Sequence, residues 1–335
     1  MNDMDMKKIR IINTGGTFSS RPSEKGLVPE LTGRDISHLL DEFSDSVSAE
    51  IQDYCALDSA NILPSDWHNL AESIASCAHE CDGVVIIHGT DTMAYTASML
   101  SFMLLNIPIP VVMTGSQMPL GVPMSDAEDN FRCAMWMAMR GAGGVYIAFN
   151  RKILLGCRTS KVRTISFDAF ESINYPAVGE VNAFGLHLRS MERRAGLPFT
   201  PDTRYSDRIA VLKLFPGMPL DIFRLLRDRG YEGIYVEGFG LGGVPFRKHD
   251  MTAEIRKASD EGLPILVGSQ CRYEGSNLTV YETGRRILDC GGIPVHDMTQ
   301  ESVVAKLMWC LGQTKRRDDV CRIFSQNICD EITLG

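Results

Sequence analysis

The stretch Gly83-Val84-Val85-Ile86-Ile87-His88-Gly89-Thr90-Asp91-Thr92-Met93 decides the fold. Its uninterrupted apolar run reads as a strand buried on both faces, as in a parallel sheet covered by helices. The strand runs straight into a polar cluster, from which a helical pattern over 91–105 sets out. Outward from this unit, 9–12, 111–114 and 145–149 are further short β-branched runs. The segments 66–81 and 126–140 carry apolar residues at three- and four-residue spacing behind an aspartate at the N-cap position. This alternation predicts an α/β protein whose larger N-terminal domain is a doubly wound, mainly parallel sheet.

A stretch without periodicity follows, where Glu192, Arg193, Arg194, Gly196, Pro198, Pro201 and Asp202 crowd together. It predicts a linker over 193–207 between an N-terminal domain, 1–192, and a smaller C-terminal α/β domain, 208–335. In the latter, strands at 209–214, 233–237 and 265–267 alternate with helices at 220–229, 253–261 and 281–289. A last helix over 302–311 should pack its Val303, Leu307 and Leu311 face onto that sheet.

Two domains suit 335 residues, and 44% hydrophobic with 23% charged residues describe an ordinary globular chain. The net charge of −8 argues against a general surface for a phosphate backbone, so no nucleic-acid partner is expected. No apolar run approaches the roughly 20 residues a bilayer crossing needs, so no membrane partner is expected either. Residues 1–10 are rich in charge and lack the apolar core of a secretion signal. With ten dispersed cysteines read as reduced thiols, a cytoplasmic location follows. Cys77 and Cys81 flank His79, but no matching ligand set lies elsewhere, so no metal is expected. Phosphate-loop, dinucleotide, serine-elbow and zinc-protease signatures are missing from the sequence. Gly238, Gly240, Gly242 and Gly243 lack dinucleotide spacing and read as a tight turn or a subunit contact.

In parallel α/β sheets, ligands sit beyond the carboxyl ends of the strands. Two such ends are chemically loaded. In Ile11-Ile12-Asn13-Thr14-Gly15-Gly16-Thr17, paired glycines let the backbone approach a ligand before a hydroxyl. In the second, helix N-terminal amides beside His88-Gly89-Thr90-Asp91 face any bound anion. Taken singly, each residue has an innocent reading: Thr17 and Ser59 as turn hydroxyls, Thr90 and Asp91 as a helix cap, Lys161 as a surface lysine.

Together, Thr14-Gly15-Gly16-Thr17 and His88-Gly89-Thr90-Asp91-Thr92-Met93 resemble the two signature segments of bacterial-type asparaginases. The resemblance continues in family order through Asp58-Ser59-Ala60-Asn61, Thr114-Gly115-Ser116-Gln117, Thr159-Ser160-Lys161, Asp168-Ala169-Phe170 and Ser269-Gln270-Cys271. Glu171-Ser172-Ile173-Asn174-Tyr175-Pro176 looks like the cytosolic (type I) branch of bacilli.

The resemblance implies hydrolysis of L-asparagine to L-aspartate and ammonia through a threonine acyl-enzyme, with no cofactor or metal, in a homodimer or homotetramer. It makes Thr17 the nucleophile, Lys161 the base working with Thr90 and Asp91, Asp91 the partner of the substrate ammonium and Ser59 that of its carboxylate. Gly16, Ala60 and Gly89 line the substrate. A primary amide is a poor electrophile and a threonine hydroxyl a weak nucleophile, so base and oxyanion donor are both required.

Departures from the family pattern are local. Leu27 stands where many relatives carry a loop tyrosine, leaving Glu24 and Lys25 as that loop's titratable groups. Ala60 and Asn61 replace a polar residue and an aspartate, and Gly243 replaces an asparagine supplied across a subunit contact. Two other readings follow: an asparagine-binding module with weakened catalysis, or the ammonia-supplying subunit of a tRNA-dependent amidotransferase. The second normally carries a further domain ahead of the Thr-Gly-Gly-Thr strand, whereas 13 residues precede Thr14.

Overall fold

The computed structural model describes residues 6–24, 26–189 and 197–333, and the chain divides into two units, Met1–Thr203 and Arg204–Gly335. In the first, β1 (Lys7–Gly15) leads through a hairpin, β2 (Ser20–Ser23) and β3 (Gly26–Pro29), and a short α1 (Gly33–Ile36) to β4 (Val47–Leu57). Next come α2 (Pro64–Cys77), β5 (Gly83–Ile87), α3 (Met93–Met103), β6 (Pro110–Thr114), α4 (Ala127–Arg140), β7 (Gly144–Phe149) and β8 (Lys152–Leu155). A hairpin, β9 (Thr159–Lys161) and β10 (Phe170–Ser172), precedes β11 (Gly179–Asn182) and β12 (Gly185–Leu188). The main sheet has the order β12-β11-β8-β7-β6-β5-β1-β4, parallel from β4 to β7 and antiparallel beyond.

The uninterrupted apolar runs have the expected outcome: every residue of β5 and β6 is buried. The spacing does not predict β4, whose Val-Ser-Ala-Glu-Ile alternation belongs to an edge strand with one wet face. Nor does it predict the antiparallel extension, whose strands are only four residues long. Two helix starts also differ. Asp66 sits inside α2, where its carboxylate accepts the Leu63 N–H at 2.8 Å, and α3 begins at Met93, leaving Asp91 outside the helix. Of the expected linker, 193–196 lie outside the described residues. Its stretch up to Thr203 is tied to the first unit: Asp202 N–H donates to Met103 O and the Thr203 hydroxyl to Glu72.

Register positions the site. Asn13 pairs with Ile87, Ile87 with Thr114, and Gly15 with Leu57. The segments that follow β4, β1, β5 and β6 therefore leave the sheet side by side at its carboxyl edge. The chain departs from β1 to β4 on one flank and continues through β5 on the other, so β1 marks a topological switch point.

The second unit is a parallel sheet of β13 (Ile209–Lys213), β14 (Gly233–Gly238), β15 (Ile265–Ser269) and β16 (Ile293–Pro294), in that order. With it go α5 (Asp221–Asp228), α6 (Met251–Asp260), α7 (Glu282–Asp289), α8 (Gln300–Gln313) and α9 (Arg317–Phe324). Phe223, Ile234, Val236, Ile255, Ile265 and Ile287 build its core. Val303, Leu307 and Leu311 are buried as expected, and a Cβ at Gly233 would lie 3.1 Å from both leucines. The glycines after β14 form a tight turn in which Phe239 bridges Gly243. On α8, Lys306 is wholly buried and pairs with Glu331 at 2.5 Å.

Candidate active site

Asn13, near the end of β1, organises the first turn. Its amide donates to Leu31 O and to Asp53, each at 3.0 Å, and its Oδ1 accepts from Gly15 N–H at 3.1 Å and the Ser19 hydroxyl at 2.9 Å. The polar capacity of its side chain is thus spent on backbone and side chains around this loop, which fixes the path of Gly15 and Gly16. Both glycines have positive φ, +102° and +75°. At Gly16 the need for glycine is also spatial, because a Cβ would come within 2.3 Å of the Gly89 Cα. Gly89 in turn leaves no room, since its Cβ would meet the Ser59 Cβ and Oγ at 2.7 Å. Gly16, Gly89 and Ser59, from three neighbouring strand ends, are packed with no side chain between them.

Thr17 opens a single 3₁₀ turn at this edge. It is half-buried, and its hydroxyl bonds no other described residue. Ser59 is buried; its Oγ accepts the Asp91 N–H at 3.2 Å and its carbonyl accepts the Thr92 hydroxyl at 2.8 Å, so the Ser59 proton stays available for a ligand. Ala60 is exposed and its N–H is committed to Asp58 at 2.9 Å. Lys161 is not the surface lysine that it suggests taken singly. From β9 its Nζ donates to Thr90 Oγ1 at 2.7 Å and to Asp91 Oδ1 at 2.6 Å, with its side chain 15% exposed. Thr90 is buried; Asp91 is exposed.

Gln117, beyond β6, closes the far side. Its amide nitrogen donates to Thr164 O and Ser166 O at 3.1 Å, which turns Oε1 towards the Thr90 hydroxyl at 3.5 Å. Asp126 holds the Gln117 and Met118 N–H groups at 3.0 and 3.1 Å, a task for which its place before α4 gives no hint. The loop after β9 is pinned by Asp168, whose carboxyl lies below its usual range because Lys152, at 2.7 Å, stabilises its charge.

His88 is buried, with Nδ1 2.7 Å from Gly89 O and Nε2 3.1 Å from Thr96 Oγ1. Burial lowers its pKa to about 4, so the ring is neutral at physiological pH. The Thr90 N–H beside it bonds no described residue.

The hairpin β2–β3 carries Leu27, 51% exposed and paired in register with Pro22. It is a strand residue and not the turn residue its flanking Gly26 and Pro29 suggest; Glu24 is exposed and Lys25 lies outside the described residues. Among the described residues no three His, Cys, Asp or Glu side chains converge as metal ligands, and no helix is long and apolar enough to cross a membrane. Cys77 and Cys81 donate to the Ile74 and Cys77 carbonyls.

Comparison with known proteins gives the family. Residues 8–193 match the family model "Asparaginase, N-terminal" and residues 208–324 match "Glutaminase/Asparaginase C-terminal domain". The chain is 39% identical to an L-asparaginase of Thermococcus kodakarensis, covering 97% of this chain and 99% of that protein. It is 36% identical to a glutamyl-tRNA(Gln) amidotransferase component of the same organism, over 98% of this chain and 77% of that protein. A solved structure of the thermostable L-asparaginase from T. kodakarensis superposes with a TM-score of 0.92, covering 98% and 100% of the two chains.

Proposed function

The chain belongs to the asparaginase family, and from that premise we propose that it hydrolyses the side-chain amide of L-asparagine through an acyl-enzyme on Thr17. One observation carries the reading: Lys161 Nζ lies 2.7 Å from Thr90 Oγ1 and 2.6 Å from Asp91, at the sheet edge that also presents Thr17 and Ser59.

Thr17 Oγ attacks the amide carbon and passes its proton into the site, where Lys161, through Thr90 or a water beside it, is the base. Negative charge then grows on the amide oxygen, and the Thr90 N–H, which bonds no described residue, is the donor available to it. Collapse of the tetrahedral adduct breaks the carbon–nitrogen bond and returns a proton to the leaving ammonia. Water cleaves the ester by the same path, releasing L-aspartate and restoring Thr17. Asp91 receives the substrate ammonium, Ser59 the carboxylate, and Gly16 and Gly89 provide the side-chain-free floor. Leu27 supplies no phenol to the nucleophile, so the hairpin acts by excluding water. The reading includes a cytoplasmic homodimer or homotetramer, which sedimentation of the purified protein tests.

Thr17→Val keeps the shape and removes the hydroxyl. It should lower kcat by at least about 300-fold, on the scale of a lost nucleophile, with the fold unchanged. Activity within tenfold of wild type would remove Thr17 from this role. Similarity to the amidotransferase proteins favours one other reading, ammonia supply to a partner. Steady ammonia release from free L-Asn, measured beside D-Asn and L-Gln with no partner added, separates the two.

A further inference from the structure

A buried hydrogen-bond chain runs behind the site. The Trp67 indole N–H, which can only donate, gives its proton to Thr96 Oγ1 at 2.9 Å. The Thr96 hydroxyl lies 3.1 Å from His88 Nε2, and His88 Nδ1 lies 2.7 Å from the Gly89 carbonyl. That carbonyl can only accept, so Nδ1 carries the proton. A neutral ring then leaves Nε2 as acceptor, and it takes the Thr96 proton. Every member of the chain is satisfied in one sense only, and all of it is buried.

The consequence lies one peptide further on. Residues 89 and 90 are joined by a trans bond, as are all the described residues, so the Gly89 carbonyl and the Thr90 N–H point in opposite directions. Anchoring the carbonyl on His88 aims the Thr90 N–H away from the ring, and among the described residues that N–H has no partner. On its other side, Gly89 is in contact with the Gly16 backbone, one residue before Thr17. We propose that His88, held as its Nδ1–H tautomer by Trp67 and Thr96, is a positioning residue that sets the Gly89–Thr90 peptide and so aims the Thr90 N–H at the developing oxyanion. This deepens the asparaginase reading and rests on it. The role needs no proton transfer by His88, which stays neutral throughout.

The test compares three side chains. Asn can place an amide N–H where Nδ1 stands; Leu offers nothing there. His88→Leu should lower kcat for L-asparagine by about 30-fold or more, part of the loss that follows when an oxyanion donor is removed, with KM within about threefold. His88→Asn should recover at least tenfold of that loss. Thermal melting of both variants accompanies the kinetics, since a merely structural role would lower stability in both and leave the kcat of the folded fraction unchanged. Equal kcat in the Leu variant and wild type, or no recovery with Asn, overturns the proposal. Nitrogen-15 spectra of histidine-labelled enzyme, with His88 assigned by its disappearance in the Asn variant, supply a second arm that needs no turnover. They should report Nδ1 protonated and Nε2 bare from pH 6 to 8, and the opposite tautomer overturns the proposal. A wild-type enzyme that releases no ammonia from asparagine sinks the asparaginase reading instead, while the spectra still decide the His88 arrangement.

Discussion

Replacing Lys161 by Met keeps a linear side chain of similar length and removes an ammonium with two unequal bonds. The one to Asp91, at 2.6 Å, joins a carboxylate whose side chain is 63% exposed. An ion pair so open to water is worth under about 1 kcal/mol. The one to Thr90, at 2.7 Å, is out of water, since Thr90 is 6% exposed. If Lys161 and Thr90 move one proton together, Lys161→Met and Thr90→Val should each lower kcat about 300-fold, or about 3.4 kcal/mol. The double variant should then lose little more than either single one, giving a coupling energy of about 3 kcal/mol, because a relay broken once cannot be broken again. Lys161→Met combined with Asp91→Asn should instead couple by less than about 1 kcal/mol in kcat. Steady-state ammonia release on the four corners of each cycle, with unfolding midpoints recorded alongside, makes the comparison. Losses that multiply to about 10⁵ in the Lys161/Thr90 double variant would refute the shared relay, as independent effects would add in free energy.

Three further outcomes follow from the geometry. Gly89→Ala drives a methyl into Ser59 Cβ and Oγ at 2.7 Å, and overpacking of about 1 to 3 kcal/mol should reduce kcat/KM by about 10- to 100-fold, read by ammonia release at low asparagine. Lys306→Met leaves the Glu331 carboxylate buried with, among the described residues, only the Ile328 and Cys329 amides. It should cost about 3 to 5 kcal/mol in urea unfolding, with much of the loss recovered by adding Glu331→Gln. His88 titrates at about 4 when folded against 6.5 when unfolded, so its neutral form contributes stability above pH 6.5 that is lost as pH falls towards 4. Over that window the stability difference between wild type and His88→Asn should shrink by about 3 kcal/mol, and urea midpoints at pH 7, 5.5 and 4 check it.

The central strands were legible because burial on both faces leaves a continuous apolar run, as in Gly83–Ile87 and its neighbours. The edge strand Val47–Leu57 was not, because its wet face admits Ser48, Glu50 and Gln52 and dilutes the signal. In the site, Thr17, Thr90, Asp91 and Ser59 sit in quotable motifs, and the structure brings Lys161 to two of them. Asn13 and Asp126 escape a linear reading. Their work consists of bonds to Leu31, Asp53, Gln117 and Met118, partners fixed only once the chain has folded. His88 stands inside a motif, yet nothing in its letter tells a neutral buried ring from an active acid or base. Burial decides that, and the Trp67 and Thr96 side chains that fix the tautomer arrive from two different helices.

The packing of Gly16, Gly89 and Ser59 without intervening side chains has a kinetic corollary. Ser59 and Gly89 lie 43 and 73 residues beyond Gly16 in sequence, and none of the three can settle before the ladders β1–β4 and β1–β5 have closed. Closure of such long loops is among the slow steps of folding, because chain entropy is lost before distant contacts repay it. A refolding intermediate with helices formed and the ladders still open would therefore have no partial activity to offer. Turnover should return in a single late phase, in step with strand closure and well behind the recovery of helical signal.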